Sequence, residues 1–458
     1  MKERITLLLH LTVPPMVALV SSIGFLWWLF FPPDKEPINH FVDSPSPPAI
    51  NKALPAQKTE LEVWLDLDFT KDVALFDELV EEFEQAYPYI DVKISPFVRE
   101  SISQRLRHAV LIGDPPDVVQ GHVSSLAAQG LVEPLDQRIE AWDPYLVDEF
   151  LPVALEEAKW QDTLYGLPVD VYTVILLYNR DHFDEAGLPY PTSDYDLFDI
   201  RQAAKLLTKP DGERYGVGLT TDPWYFYAWL TSAGTDVITG SPETGFELTL
   251  NAKNNADVVA YLLEMIDEGY SPLPSSRPRD YEEARDLFLQ EKLSLYFGEP
   301  QDVHYLQSNQ PDFPLGVAPL PQTLAKDSTA SVLGTSALFI PRGSRNPDAA
   351  FEFIKWASSD RYVSHMLRRT GRYPARKWMP NSPEVTENLL LAPFFTQLEL
   401  ARPYRLDVFL DAEEGFVNAV RSSFYHLAEP QEALDAAQMT GQQSQNEALR
   451  WSPQSTQE

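Results

Sequence analysis

The chain of 458 residues contains no cysteine. That absence excludes disulfides, thiolate nucleophiles, cysteine zinc sites and lipid attached to an N-terminal cysteine. Basic residues are scarce as well: 36 Lys and Arg stand against 68 Asp and Glu, a formal net charge of −32. Nucleic acid is excluded as a partner, because neutralising phosphates takes clusters of Lys and Arg. The long-range field also disfavours anionic ligands, whereas a neutral one is unaffected. Enzyme signatures are missing too: there is no G-x-S-x-G elbow, no H-E-x-x-H and no phosphate-cradling glycine loop. The eight histidines are scattered along the chain, which leaves no metal cluster and no cofactor to expect. Asp66, Asp68, Thr70, Asp72 and Asp77 imitate a calcium loop. Lys71, however, occupies the position where such a loop turns on glycine, so no metal is assigned there. Carboxylate pairs abound in so acidic a chain, and glycosidase geometry cannot be read from their spacing.

What is present is an ordinary apolar fraction, 44%, in a chain long enough for a large core and more than one lobe. Lys2 and Arg4 precede an almost uncharged stretch, residues 5–31, that contains Trp27 and Trp28. As a helix it would reach about 40 Å, enough for a tilted membrane span with its basic end inside. No small-x-small processing site follows, so residues 1–31 are expected to stay as an anchor; a cleaved signal segment is the competing reading. In either case the body lies on the extracytoplasmic face. The proline-dense segment 32–58 is a stiff, extended linker.

From there apolar spacing dictates an α/β order. Leu61, Val63 and Leu65 alternate with polar neighbours as a strand, and Val73, Phe76, Val80, Phe83 and Tyr87 recur at helical spacing. Pro88 ends that helix, and Ile90, Val92 and Ile94 alternate as a second strand. A helix around residues 102–112 leads through Gly113-Asp114-Pro115-Pro116 to a third strand at 117–119. The centre of the chain is residues 165–191. A turn at 166–168 runs into a continuous apolar run, residues 171–178, of the kind buried on both faces of a helix-covered sheet. Asn179-Arg180-Asp181 then opens a short amphipathic turn that Gly187 closes, and Pro189 and Pro191 forbid its continuation. Residues 385–437 read as helical, and after Met439 the Gln/Ser-rich tail reads as frayed.

The order G-L-P-x-D-x-x-T-x-x-L-x-Y-N-R within residues 166–180 resembles the hinge segment of extracellular solute-binding proteins of the sugar ABC-transporter class, the maltose-binding-protein-like group. The resemblance is carried further by F-E-x-x-x-P-x-I-x-V at 83–92, G-D-P-P-D-V-V at 113–119 and Tyr215-Gly216-Val217-Gly218. Tyr296-Phe297-Gly298-Glu299-Pro300, Gly316-Val317-Ala318-Pro319-Leu320-Pro321 and Ile340-Pro341-Arg342-Gly343-Ser344 follow in the same order. It departs at Pro191-Thr192-Ser193 and at Gly298-Glu299-Pro300-Gln301, where aromatic residues are usual; the second departure removes one stacking partner.

The resemblance implies an α/β, two-lobe periplasmic-binding-protein (venus-flytrap, type II) fold behind the N-terminal helix. Lobe one would comprise 59–172 and 312–385, lobe two 173–311 and 386–438, with 439–458 a flexible tail. It implies a monomeric, non-enzymatic carrier of a neutral sugar, working with ABC permease subunits; a ligand sensor for a membrane histidine kinase and an extracytoplasmic carbohydrate-active enzyme are the alternatives. Within the aromatic run 224–229, Phe226 and Trp229 read as core. Asp222-Pro223-Trp224 reads as a turn that sets an acceptor beside a flat ring, the pair a sugar needs for its hydroxyls and its C–H face. Residue-by-residue matching adds Asp68, Gln120, His122, Asp170, Tyr172, Glu299, Gln301, Gly334 and Thr335, with Arg372 and Tyr404 on loops at the cleft edge.

Overall fold

Regular structure begins at Thr59 in a computed structural model that describes residues 58–66, 73–97, 99–241, 245–277, 279–322, 331–406 and 409–450. The expected anchor, all but the last residue of the linker, Asp68 and the middle of the acidic loop lie outside these residues. Among the described residues no helix is long and apolar enough to cross a membrane.

The opening alternation folds as expected: β1 (Thr59–Asp66), helix Val73–Ala86, β2 (Ile90–Phe97), helix Arg99–Ile112 and β3 (Val118–Gly121). Leu61, Val63 and Leu65 are fully inside, and because β2 and β3 flank β1 in parallel on either side, right-handed crossovers set the two helices on opposite faces of the sheet. A hairpin of β4 (Lys159–Trp160) and β5 (Thr163–Leu164) precedes three strands in quick succession: β6 (Gly166–Pro168), β7 (Asp170–Thr173) and β8 (Ile175–Asn179). Here the structure departs from the sequence reading in two ways. Gly166 and Pro168 lie in a strand, not a turn, and the apolar run breaks at Val174 into two strands.

The break has a topological reason, because each of the three strands joins a different sheet. β6 pairs with β15 (Ala337–Phe339) at the edge of the order β2-β1-β3-β15-β6. β7 pairs with β14 (Val332–Gly334) and β16 (Tyr373–Pro374) in the order β16-β7-β14-β17, β17 being Arg402–Pro403. β8 lies between β13 (Leu315–Ala318) and β12 (Leu293–Gly298), with β9 (Tyr215–Gly218) on the far side of β12. One short length of chain therefore threads all three sheets. Two hydrophobic clusters fill the interior, one around β1–β3 and β15, the other around β8, β9 and the helix Pro223–Ser232.

The helix after β8 keeps to its sequence signals. Asn179 caps Arg180–Ala186 by accepting from the His182 amide, and Gly187 ends it at φ +67°, a left-handed conformation that glycine adopts without strain. The C-terminal end differs from the reading. Helices Leu410–Phe424 and Pro430–Arg450 pack against each other, so helical structure continues past Met439.

Candidate ligand-binding site

The residues nominated from sequence fall into three adjoining groups. In the first, β3 delivers His122 and β7 delivers Tyr172, whose hydroxyl lies 2.9 Å from His122 Nε2. Tyr172 meets the ring of Trp224 at 5.1 Å between centroids and 51°. Trp224 in turn meets Tyr404, just after β17, at 5.8 Å and 68°. Gly334 stands opposite Tyr172 in the β14–β7 register. A side chain there would strike both rings, lying 2.7 Å from Trp224 Cη2, which is why β14 can pass this close only as glycine.

The second group is buried beside the first. Asp170 and Tyr172 share a face of β7, as Gln120 and His122 continue one face of β3. Gln120, Asp170 and Arg372 line a small cavity with Val169, Tyr362, Val363 and Met366. Asp170 Oδ2 is 3.4 Å from Arg372 Nη1, and its Oδ1 accepts from the Ser336 amide at 2.8 Å. Arg372 reaches Asp170 because the next two residues form β16, paired to β7. Burying such a pair costs desolvation that mutual attraction only partly repays, and removing one partner would leave an uncompensated charge.

The third group opens the helix Pro300–Asn309. Glu299 forms a capping box with Asp302, whose carboxylate accepts from the Glu299 amide at 3.0 Å. Burial raises the Asp302 carboxyl, which Arg285 partly offsets. Gln301 follows, and His304 on the same helix abuts Gly371, next to Arg372. Burial holds the His304 imidazole below its ordinary range. Asp222, expected as a ligand acceptor, uses Oδ1 to cap the helix Pro223–Ser232 through the Trp224 amide, at 3.0 Å. Thr335 is buried directly after Gly334. The structure thus brings Gln120, His122, Asp170, Tyr172, Trp224, Gly334, Arg372 and Tyr404 together, with Asp222 and Thr335 next to them in the chain. Glu299 and Gln301 connect to them through the helix whose His304 abuts Gly371, and Asp68 lies outside the described residues.

Three buried polar atoms here make no hydrogen bond among the described residues: Trp224 Nε1, Thr335 Oγ1 and Gln301 Oε1. Each would cost about 1–3 kcal/mol if it stayed unmet. An unmet donor on the aromatic ring itself, with a hydroxyl and an acceptor also unpartnered among the nominated residues, suits a ligand carrying hydroxyls on an apolar frame.

Residues 68–363 match the profile of the bacterial extracellular solute-binding proteins. The chain belongs to that family. This solute-binding protein is 23% identical over 340 residues to a maltotriose-binding protein of Pyrococcus abyssi, covering 72% of the present chain and 70% of the relative. Among solved structures it resembles a Listeria monocytogenes ABC substrate-binding protein in complex with cycloalternan. The TM-score is 0.73 at 19% identity, over 85% of this chain and all of that one. A Thermotoga lettingae solute-binding protein bound with α-D-tagatose gives a TM-score of 0.73 at 20% identity, over 84% of this chain and 100% of the other. The solute-binding protein therefore has the two-lobe periplasmic-binding-protein fold.

Sequence reasoning missed several residues that build the site from behind. Arg405 sits 2.9 Å from Glu157 and donates to Ser124 Oγ at 3.3 Å, tying the segment that carries Tyr404 to two helix ends. Asp280 gathers the turn before Trp224. Thr220-Thr221 next to Asp222 was the only local hint of that turn's polarity, and nothing local pointed to Asp280.

Proposed function

We propose that this protein is the extracytoplasmic substrate-binding component of an ABC importer. It takes a neutral sugar or oligosaccharide between its lobes and delivers it to a membrane permease. The observation that carries the proposal is the Tyr172–Trp224 ring pair, whose Trp224 Nε1 is a buried donor without a partner among the described residues. The ring face packs on sugar C–H groups, while Trp224 Nε1, Thr335 Oγ1 and Gln301 Oε1 pair with hydroxyls. Asp170, Tyr172, His122 and Gln120 serve one side; Trp224, Tyr404, Glu299 and the remaining polarity around Asp222 serve the other. Support from relatives is consistent in chemistry though not in size: their named ligands run from α-D-tagatose to maltotriose and cycloalternan.

In this reading lobe one comprises 59–172 and 312–385, lobe two 173–311 and 386–438. A ligand touching both favours the closed form by its differential contacts. Residues 1–31 hold the body at the outer face of the membrane, and the linker gives it reach. A thermal-shift screen of the soluble body against mono- and oligosaccharides and polyols, followed by calorimetry, tests the proposal. A stabilising sugar whose affinity falls in Trp224→Ala supports it. A panel without any stabilising member, or binding indifferent to Trp224, overturns it.

A further inference from the structure

The turn that presents Trp224 is built around one carboxylate from a distant part of the chain. Asp280, only 3% exposed, precedes the helix Tyr281–Leu289. Its Oδ2 accepts from the Thr221 amide at 2.6 Å and from Thr221 Oγ1 at 2.7 Å. Its Oδ1 accepts from Thr220 Oγ1 and from the Asp222 amide, the latter at 3.1 Å. Three consecutive residues thus converge on one buried carboxylate. Arg421, on the helix Leu410–Phe424, donates to Thr221 Oγ1 at 3.2 Å and brings a positive charge to the far side of the network.

The turn has little freedom once these bonds are made. Two neighbouring backbone N–H groups point at the same carboxylate; without it the Thr221 amide would lose its acceptor, while the Asp222 amide would keep only Thr220 Oγ1, at 3.0 Å. Asp222 is thereby fixed, its side chain caps the Trp224 amide, and Pro223 fixes the intervening φ. The indole is then aimed at Tyr172 and Tyr404. Both threonines are buried, so water cannot readily replace the carboxylate.

We propose that Asp280 is a positioning residue for the ligand site: through Thr220, Thr221 and Asp222 it sets where the Trp224 ring stands. It acts through the turn, and it rests on the reading of Trp224 as a ligand platform. The device also ties ring placement to two helices, Tyr281–Leu289 and Leu410–Phe424, that carry none of the nominated ligand residues.

The test uses the protein labelled with 5-fluorotryptophan, its Trp224 resonance assigned by Trp224→Phe, in the parent and in Asp280→Asn, Thr221→Val and Thr221→Ser. Thr221→Val removes the hydroxyl shared by Asp280 and Arg421 with little change of shape; Thr221→Ser retains it. In the ligand-free protein Asp280→Asn and Thr221→Val should shift or broaden the Trp224 resonance while the other tryptophans stay put, and Thr221→Ser should match the parent. Affinity for the best sugar of a panel including maltotriose, maltose and mannitol should fall about tenfold in the first two variants and recover in the serine one. A Trp224 resonance unmoved in both variants while their melting temperatures fall would show Asp280 to be a structural anchor alone. If Asp280→Asn fails to fold, the Trp224 resonance of Thr221→Val decides between the two roles by itself. A parent that binds no sugar overturns the functional reading only, since the fluorine spectrum still decides the positioning claim.

Discussion

Two tryptophans on one helix, Pro223–Ser232, have opposite fates. Trp229 is 1% exposed and stacks on Phe297 at 4.0 Å and 8°, as closely as two rings pack. Trp224, at the helix start, is half-buried, tilted against Tyr172 and left with an unmet Nε1. Both belong to the same dense aromatic run. The difference teaches that aromatic density alone marks core and site alike. What separates them is whether the ring's contacts are complete. Trp229 has a parallel partner; Trp224 has edges and a donor that wait for something else.

The comparison can be broken most forcefully at Trp229. Trp229→Ala should cost about 3–5 kcal/mol of stability, read by urea denaturation. A loss under about 1 kcal/mol would show that stacked burial is not what holds this ring. Next in size comes a buried polar group on the same core, which scales what complete satisfaction is worth. His182 is buried, with Nδ1 3.0 Å from Ser294 Oγ. Burial first, and Arg214 and Lys209 after it, lower its imidazole from 6.5 to about 4. Between those two values the unfolded chain holds a proton that the folded one refuses. Stability is therefore complete above about pH 6.5 and falls by about 3 kcal/mol as the pH drops to about 4. From about pH 4.5 downward Glu185, held at about 2 by Lys209 and Arg214, continues the loss in the same direction. Denaturation across pH 4–7 should show the slope and His182→Gln should flatten it; a slope untouched by that change would assign it to other groups.

Smaller still is the effect at Trp224. Trp224→Ala should weaken sugar binding by about 1–3 kcal/mol while costing less stability than Trp229→Ala, as calorimetry and urea denaturation would register. If both tryptophans cost stability equally and neither affects binding, the two rings do not differ in role. The finest cut is Trp224→Phe, which keeps a ring and removes the unmet donor. Affinity should drop by about 1 kcal/mol, and stability should hold or rise slightly, because a buried orphan has been deleted. A clear fall in stability would mean that Nε1 has a partner in solution.

Much of this was legible in the sequence where local chemistry decides. The alternation of Leu61, Val63 and Leu65, the stop at Pro88 and the glycine exit at Gly187 appear in the fold as strand, helix end and left-handed cap. Burial of Phe226 and Trp229 followed from their place in the run. Where partners lie far off in the chain, sequence spacing carried less. Gly166 and Pro168 carry turn chemistry, yet pairing with Phe339 and Ala337 makes them strand. The run at 171–178 showed that it is buried, but not that its two halves serve different sheets. The Gln/Ser-rich segment after Met439 lacks apolar periodicity, yet it prolongs the helix Pro430–Arg450. At the site, the turn Asp222-Pro223-Trp224 was readable, but Asp280, brought in by tertiary folding, was not.

The three-strand passage from Gly166 to Asn179 has a consequence for how such a protein can change over generations. Successive residues of a strand face opposite ways, so one residue added or lost shifts every later side chain to the wrong face. Between Pro168 and Tyr172 such an event would turn Tyr172 away from Trp224 and also exchange the two faces of β8, which send Ile175 and Leu177 to one cluster and Leu176 and Tyr178 to the other. Substitution can tune this passage one side chain at a time. Its length, by contrast, is fixed by the demands of three sheets at once, so a descendant with a new specificity would be expected to carry different residues there, in the same number.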